Sequence, residues 1–293
     1  GTLKHITSNT TSVNVEGVVQ RGEGGLLGMA LHPKFKDNQF IYLYSTTESG
    51  NGLTNRVERY MYKNEQLSER KTILENIPGS SNHDGGRMAF GPDGFLYIAT
   101  GDAETTANAQ NQNSLAGKIL RLNDDGSIPA DNPFKNEVYS LGHRNPQGLA
   151  WDNSGQLWAT EHGPSGTQTG YDELNRIVKG ENYGWPTIKG DATKTGLITP
   201  ILHSGSDDAW APSGLAFYNG LLIFTGLRGE SLYSTPVNGN GQVGKLTSSL
   251  REKYGRLRAV VAGPDGFLYI STSNTDGRGR TKAGDDKIIR IKF

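Results

Sequence analysis

The sequence predicts an all-β fold, a six-bladed β-propeller with part of the first blade missing at the N-terminus. Three observations predict it. The octapeptide GPDGFLYI occurs twice, letter for letter, at Gly91–Ile98 and Gly263–Ile270. Looser copies of the same plan lie at Met29–Thr46, Gly148–His162 and Gly214–Gly226. The copies recur at roughly 45–65 residues, the scale of a propeller blade with insertions.

The elements follow in order. Gly1–Ile6 reads as the outer strand of a further copy whose inner hairpin is absent. In each of the five copies a short apolar strand enters a turn rich in Pro, Asp, Asn or Gly. An alternating apolar-aromatic strand then leaves it, the signature of a β-hairpin. Lys118–Leu122 and Ile288–Phe293 read as further strands between or after the hairpins. Long helical periodicity is missing, and a β-sandwich would lack the larger repeat. Residues 1–293 are therefore expected to form a single propeller domain.

Composition narrows the function. Lys and Arg number 30 and Asp and Glu number 30, for a net charge of zero. That removes a bulk electrostatic pull toward nucleic acid or an anionic membrane. The 40 Gly and 12 Pro show no period and mark tight turns. With no Cys, disulfides, thiolate metal sites and a Cys nucleophile are excluded. No run is apolar and long enough to span a bilayer. No signal peptide is present, and the start at Gly1 reads as a processed or trimmed terminus.

Polar, Gly-rich segments between the repeats are where a ligand site is expected. In Ser81–Arg87, His83 is either a general base or a turn His bonded to backbone. Asp102, in Thr100-Gly101-Asp102, either orients that His or a neighbouring Arg, or caps a turn. Arg144 and Asn145, within LGHRNPQG, supply fixed donors to carboxylate or quinone oxygens, or hold loop carbonyls. Gly163 and Pro164, within EHGP, offer backbone carbonyls that suit a hard cation such as calcium. Asp172 follows in DELN. Arg256 and Arg258 share one face of an extended segment, as an anion clamp or as a solvated basic edge. Arg228 adds a third charge.

Taken together and in this order, these segments resemble the soluble PQQ-dependent glucose dehydrogenases and the related aldose sugar dehydrogenases. GHRNPQGLA, EHGP, DELN and NYGWP carry the resemblance, which runs from Gly22–Gly28 to the last strand. It implies a six-bladed propeller that binds pyrroloquinoline quinone (PQQ) and Ca²⁺. It implies His83 as catalytic base, Asp102 beside it, and Arg144 and Asn145 at the quinone. Gly163 and Pro164 are implied as calcium ligands and Asp172 as a further active-site acid. Arg256 and Arg258 are implied at the PQQ carboxylates, with Arg228 standing where the family has Lys. Gln110 corresponds to a Gln beside the cofactor, and Glu23 stands where some members carry Gln. The loop at Tyr183–Asp191 lacks the acidic ligands of the glucose enzymes' second calcium sites, so none is expected.

The activity implied is oxidation of an aldose at C1 to a lactone, with electrons passed to an external acceptor. A periplasmic or secreted location is implied with it. The alternatives are a calcium-dependent, lactonase-like hydrolase and a non-catalytic carbohydrate-binding propeller. Trp210 reads either as a sugar-stacking residue or as a core Trp.

Overall fold

The computed structural model describes residues 1–6, 10–50, 52–164 and 169–293. The sheets fall into two compact units, one of Gly1–Asn145 with Lys179–Pro186, the other of Pro146–Val178 with Thr187–Phe293.

In the first unit, β1 (Thr2–His5) and β2 (Thr11–Asn14) pair as an isolated two-stranded sheet. The first blade is β3 (Leu26–Leu31), β4 (Phe40–Ser49), β5 (Gly52–Lys63) and β6 (Gln66–Pro78). The second is β7 (Met88–Phe90), β8 (Leu96–Thr100), β9 (Lys118–Leu122) and β10 (Val138–Leu141). Two short helical turns interrupt the loops, α1 (Phe35–Asn38) and α2 (Ala107–Gln110). The first strands of the two blades, β3 and β7, lie against each other.

The second unit holds three blades. They are β11 (Pro146–Trp151) to β14 (Leu202–His203) through β12 (Leu157–Glu161) and β13 (Glu173–Ile177); β15 (Pro212–Tyr218), β16 (Leu221–Gly226), β17 (Leu232–Pro236) and β18 (Thr247–Ser249); and β19 (Leu257–Ala262), β20 (Leu268–Thr272) and β21 (Ile288–Ile291). Strand β11 packs on β15, and β15 on β19. Gly148 and Gly214 permit these approaches. A Cβ on Gly148 would overlap the Ser213 carbonyl, and one on Gly214 the backbone at Ala259 and Val260.

Every blade is an antiparallel meander with strands in sequence order, the sheet unit of a β-propeller. The expected six blades are corrected to five among the described residues. Where a sixth was expected, Thr2–His5 pairs only with Thr11–Asn14, so it forms a hairpin and not the outer strand of a larger sheet. Among the described residues no helix is long and apolar enough to cross a membrane.

The repeated octapeptide builds one device twice. In the first copy Asp93 accepts bonds from the Phe95 amide at 3.3 Å and the Tyr97 hydroxyl at 2.9 Å. In the second, Asp265 does the same for Phe267 and Tyr269 at 3.3 and 2.8 Å. A third-strand arginine closes each: Arg121 pairs with Asp93 and lies 3.8 Å over Phe95, and Arg290 pairs with Asp265 and lies 3.6 Å over Phe267. Arg59 over Phe40, at 3.9 Å, repeats the stacking in the first blade. Cation–π contacts of this kind contribute about 0.5–2 kcal/mol each.

Below these turns lie the cores. Tyr42, Tyr44, Val57, Ile77, Leu96, Ile98 and Leu120 fill the first unit. Trp158, Leu174, Leu222 and Phe224 fill one cluster of the second, and Ile223, Leu257, Leu268 and Ile270 another. Fully burying such a side chain is worth about 1.5–3 kcal/mol.

Candidate active site

In the first unit the loop from β6 to β7 delivers His83 in a left-handed conformation, φ 60°. A non-Gly residue in that region costs about 1–3 kcal/mol unless its surroundings hold it. Two bonds hold it here. Its amide donates to Glu23 Oε2 at 3.1 Å, and its carbonyl accepts from the Ala103 amide at 3.2 Å. The carbonyl also presses on Gly101, where any Cβ would overlap it, which explains the Gly before Asp102.

The His83 ring lies between opposite partners. Nδ1 is 2.8 Å from Asp102 Oδ1, and Nε2 is 2.9 Å from Arg144 Nη2. An arginine has only donors, so Nε2 presents its lone pair and Nδ1 carries the proton. Asp102 is fully buried. Its Oδ2 accepts the Trp185 indole N–H at 2.8 Å, and its Oδ1 also accepts the Glu104 amide at 2.9 Å. Its amide donates to the Arg144 carbonyl at 2.8 Å, tying the β8 end to the segment after β10. The Arg144 guanidinium sits 5.5 Å over the Trp185 ring. Buried Asn145 accepts the Gly85 amide through Oδ1 at 3.1 Å.

Thus His83, Asp102, Arg144, Asn145 and Glu23 are brought together. Gln110 lies one step out. It ends α2 and bonds Asn182 Oδ1 at 3.1 Å and the Trp185 carbonyl at 2.6 Å, while accepting from Asn182 Nδ2 at 2.7 Å. It clamps the loop that carries Trp185.

Two members of this group were not singled out from the sequence. Trp185 was part of the NYGWP motif, but nothing in the sequence pairs it with Asp102. Asp84 neighbours His83 and is buried; Oδ1 accepts from Asn55 and Ser80 at 2.8 and 3.1 Å, while Oδ2 is buried without a hydrogen-bond partner. Burial pushes its carboxyl up to about 6.

In the second unit Asp172 is buried, and both its oxygens are engaged by backbone. Oδ1 accepts the Gly163 amide at 2.9 Å and Oδ2 the Ala211 amide at 2.8 Å. It braces the Gly163-Pro164 turn. Among the described residues, no hydrogen bond takes the carbonyl of Gly163 or Pro164. Glu161 and Glu173 face each other across β12 and β13. Burial, and then the Glu161 charge, raise Glu173 to about 8.

Arg256 and Arg258 do share one face. Both reach Asp276 Oδ2, at 3.0 and 3.4 Å. Asp276 stays below the usual carboxylate range: burial opposes this, but the Arg278 amide and the two arginines outweigh it. Arg228 is exposed and lines a cavity of about 1080 Å³, with Arg251, Lys253 and Lys287 set among Asp208, Glu230 and Asp285. Trp210 packs on Phe224 and Tyr233 at 5.5 and 5.7 Å, so it is a core residue.

A family model described as glucose / sorbosone dehydrogenase matches residues 1–289. The chain belongs to that family. This glucose/sorbosone dehydrogenase homologue is 34% identical over 299 residues to an aldose sugar dehydrogenase of Escherichia coli, covering 90% of this chain and 78% of the relative. It is 38% identical over 200 residues to quinoprotein glucose dehydrogenase B of Acinetobacter calcoaceticus, covering 58% of this chain and 41% of the relative. Its structure is similar to the PQQ-bound aldose sugar dehydrogenase of Streptomyces coelicolor, with TM-score 0.92, 42% identity, and 99% and 87% of the two chains covered. Membership favours a dehydrogenase over the hydrolase and binding-module alternatives.

Proposed function

We propose that the protein is a PQQ-dependent aldose sugar dehydrogenase that oxidises its substrate at C1 to a lactone. The observation that carries this reading is the His83 ring, oriented by Asp102 on one nitrogen and offering a lone pair on the other. His83 Nε2 takes the proton of the anomeric hydroxyl. Asp102 holds the ring and stabilises the imidazolium that forms, as a buried carboxylate does for a general base. Arg144 keeps positive charge where negative charge develops. PQQ, when bound, supplies the two-electron acceptor for the C1 hydride, and an external acceptor then removes the electrons.

The residues present fit the two groups. PQQ is a polycarboxylate, and Arg256 and Arg258, side by side at Asp276, present guanidinium groups of the kind that pair with carboxylates. They and exposed Arg228 would hold its carboxylates. Arg144 and Asn145 would contact the quinone, with Glu23 and Gln110 fixing the surrounding loops. Calcium takes oxygen ligands, and Gly163 and Pro164 would supply carbonyls to it. Asp172 serves by bracing that turn.

The test adds PQQ and Ca²⁺ to purified protein and follows dye reduction with a panel of aldoses. Sugar-dependent reduction that needs both additions is the expected outcome. Absence of PQQ binding would overturn the reading.

A further inference from the structure

Lys118 is fully buried on β9, in the middle of the first unit. Its ammonium donates to three backbone carbonyls: Asn108 at 2.6 Å, Ala109 at 3.1 Å and Ala116 at 2.7 Å. Burial pushes its pKa down to about 7. A buried cation is costly, and an apolar side chain would fill this place at lower cost in solvation. What the ammonium provides is convergence. It gathers both ends of the turn at residues 107–117, whose carbonyls would otherwise be buried with fewer partners.

That turn is a junction. The Ala109 carbonyl also accepts from the Gly142 amide at 2.9 Å, two residues before Arg144. The Gly117 amide donates to the Gly101 carbonyl at 2.7 Å, one residue before Asp102, and the Gly117 carbonyl accepts from the His143 amide at 3.2 Å. The turn also carries Gln110, which holds Asn182 and Trp185.

We propose that Lys118 is a positioning residue for the His83–Asp102 base: its ammonium pins the 107–117 turn, and through Gln110 that turn seats the Trp185 indole on Asp102. The proposal rests on the reading of His83 as the base. Lys118 touches no reacting atom; it acts by holding the indole bond in place.

The test uses ¹⁵N-labelled apo-protein and the full enzyme reconstituted with PQQ and Ca²⁺. The chain has 4 Trp, so three indole N–H signals serve as internal controls for Trp185. In Lys118→Met the Trp185 indole signal is expected to shift and to exchange with solvent faster, while the other three stay. The reconstituted variant is expected to lose about 10–100-fold in kcat with sugar KM within about twofold, the cost of a misplaced catalytic group. A folded variant with an unmoved Trp185 signal overturns the proposal, as does one in which all four signals move together. Should Lys118→Met fail to fold, Gln110→Leu cuts the next link. It is expected to give the same Trp185 signature, and an unmoved signal there overturns the proposal equally. If wild-type protein oxidises no aldose, the functional reading fails, and the indole signals still decide the Lys118 link.

Discussion

Trp185 and Asp102 are joined by an indole N–H to carboxylate bond of 2.8 Å, on the oxygen opposite the one that holds His83 Nδ1. His83, Asp102 and Trp185 therefore form a chain of three side chains from three separate segments of the first unit. A buried carboxylate needs donors for both oxygens, because an unsatisfied charged acceptor is costly. Here one oxygen faces the base and the other is saturated by a group that cannot titrate. The carboxylate is thereby held in one rotamer, and the imidazole with it.

Trp185→Phe keeps an aromatic side chain but removes the pyrrole ring and with it the N–H that Asp102 accepts. The bond to a charged acceptor is worth about 1.5–3 kcal/mol. The variant is expected to fold, to melt a few degrees lower, and to lose about tenfold or more in kcat at saturating sugar. Thermal melts and steady-state kinetics check both. An unchanged kcat would show that Asp102 does not need this partner to orient His83.

Gly101→Ala tests the strained loop from the other side. The added Cβ would overlap the His83 carbonyl, which is itself held by the Ala103 amide. The loop must move, and overpacking of this kind costs about 1–3 kcal/mol. A urea titration should show the loss, and the reconstituted enzyme should lose turnover further than the stability change accounts for. Wild-type stability and turnover together would mean that the loop relaxes freely.

The hairpins were legible because they are set by local chemistry. Asp93 and Asp265 each bond residues two and four positions on, so an identical octapeptide builds an identical turn. The Arg256–Arg258 pair was legible for a similar reason, since alternate residues of a strand share a face. The blade count was not. Thr2–His5 has the pattern of a blade strand, but its partner is the hairpin mate Thr11–Asn14, and no local rule decides between the two. His83, Asp102 and Arg144 were found as candidates, while the Trp185 contact spans a sequence separation of 83 and leaves no local trace. Lys118 sits in KILRL, which reads as an ordinary strand. Only the folded loop reveals that three carbonyls converge on its side chain.

Glu173 gives a pH dependence in the second unit. Burial and the neighbouring Glu161 raise its carboxyl from 4.5 to about 8. The folded state then binds this proton more tightly than the unfolded chain does. Its contribution to stability is fully present below pH 4.5 and is lost as the pH rises toward about 8. Glu173→Gln mimics the protonated form and keeps an acceptor for Asn175, which bonds it at 3.0 Å in the native chain. The variant should therefore gain in Tm at pH 8 relative to wild type and show little difference at pH 4.5. Melts across that range decide it, and an equal gain at both ends would rule out linkage to this carboxyl.

His83→Ala separates chemistry from binding. The imidazole presents a lone pair toward Arg144 while its other nitrogen is held by the Asp102 carboxylate. Removing a general base costs about 10²–10⁴-fold in rate. The arginines proposed for the PQQ carboxylates are untouched by the substitution, and Arg144, proposed at the quinone, loses its 2.9 Å acceptor but stays charged. The absorption spectrum of the reconstituted variant should therefore report bound PQQ, while sugar-dependent dye reduction falls into that range. Turnover near the wild-type level would remove His83 as the base. Loss of PQQ binding together with turnover would instead assign the ring to the cofactor site.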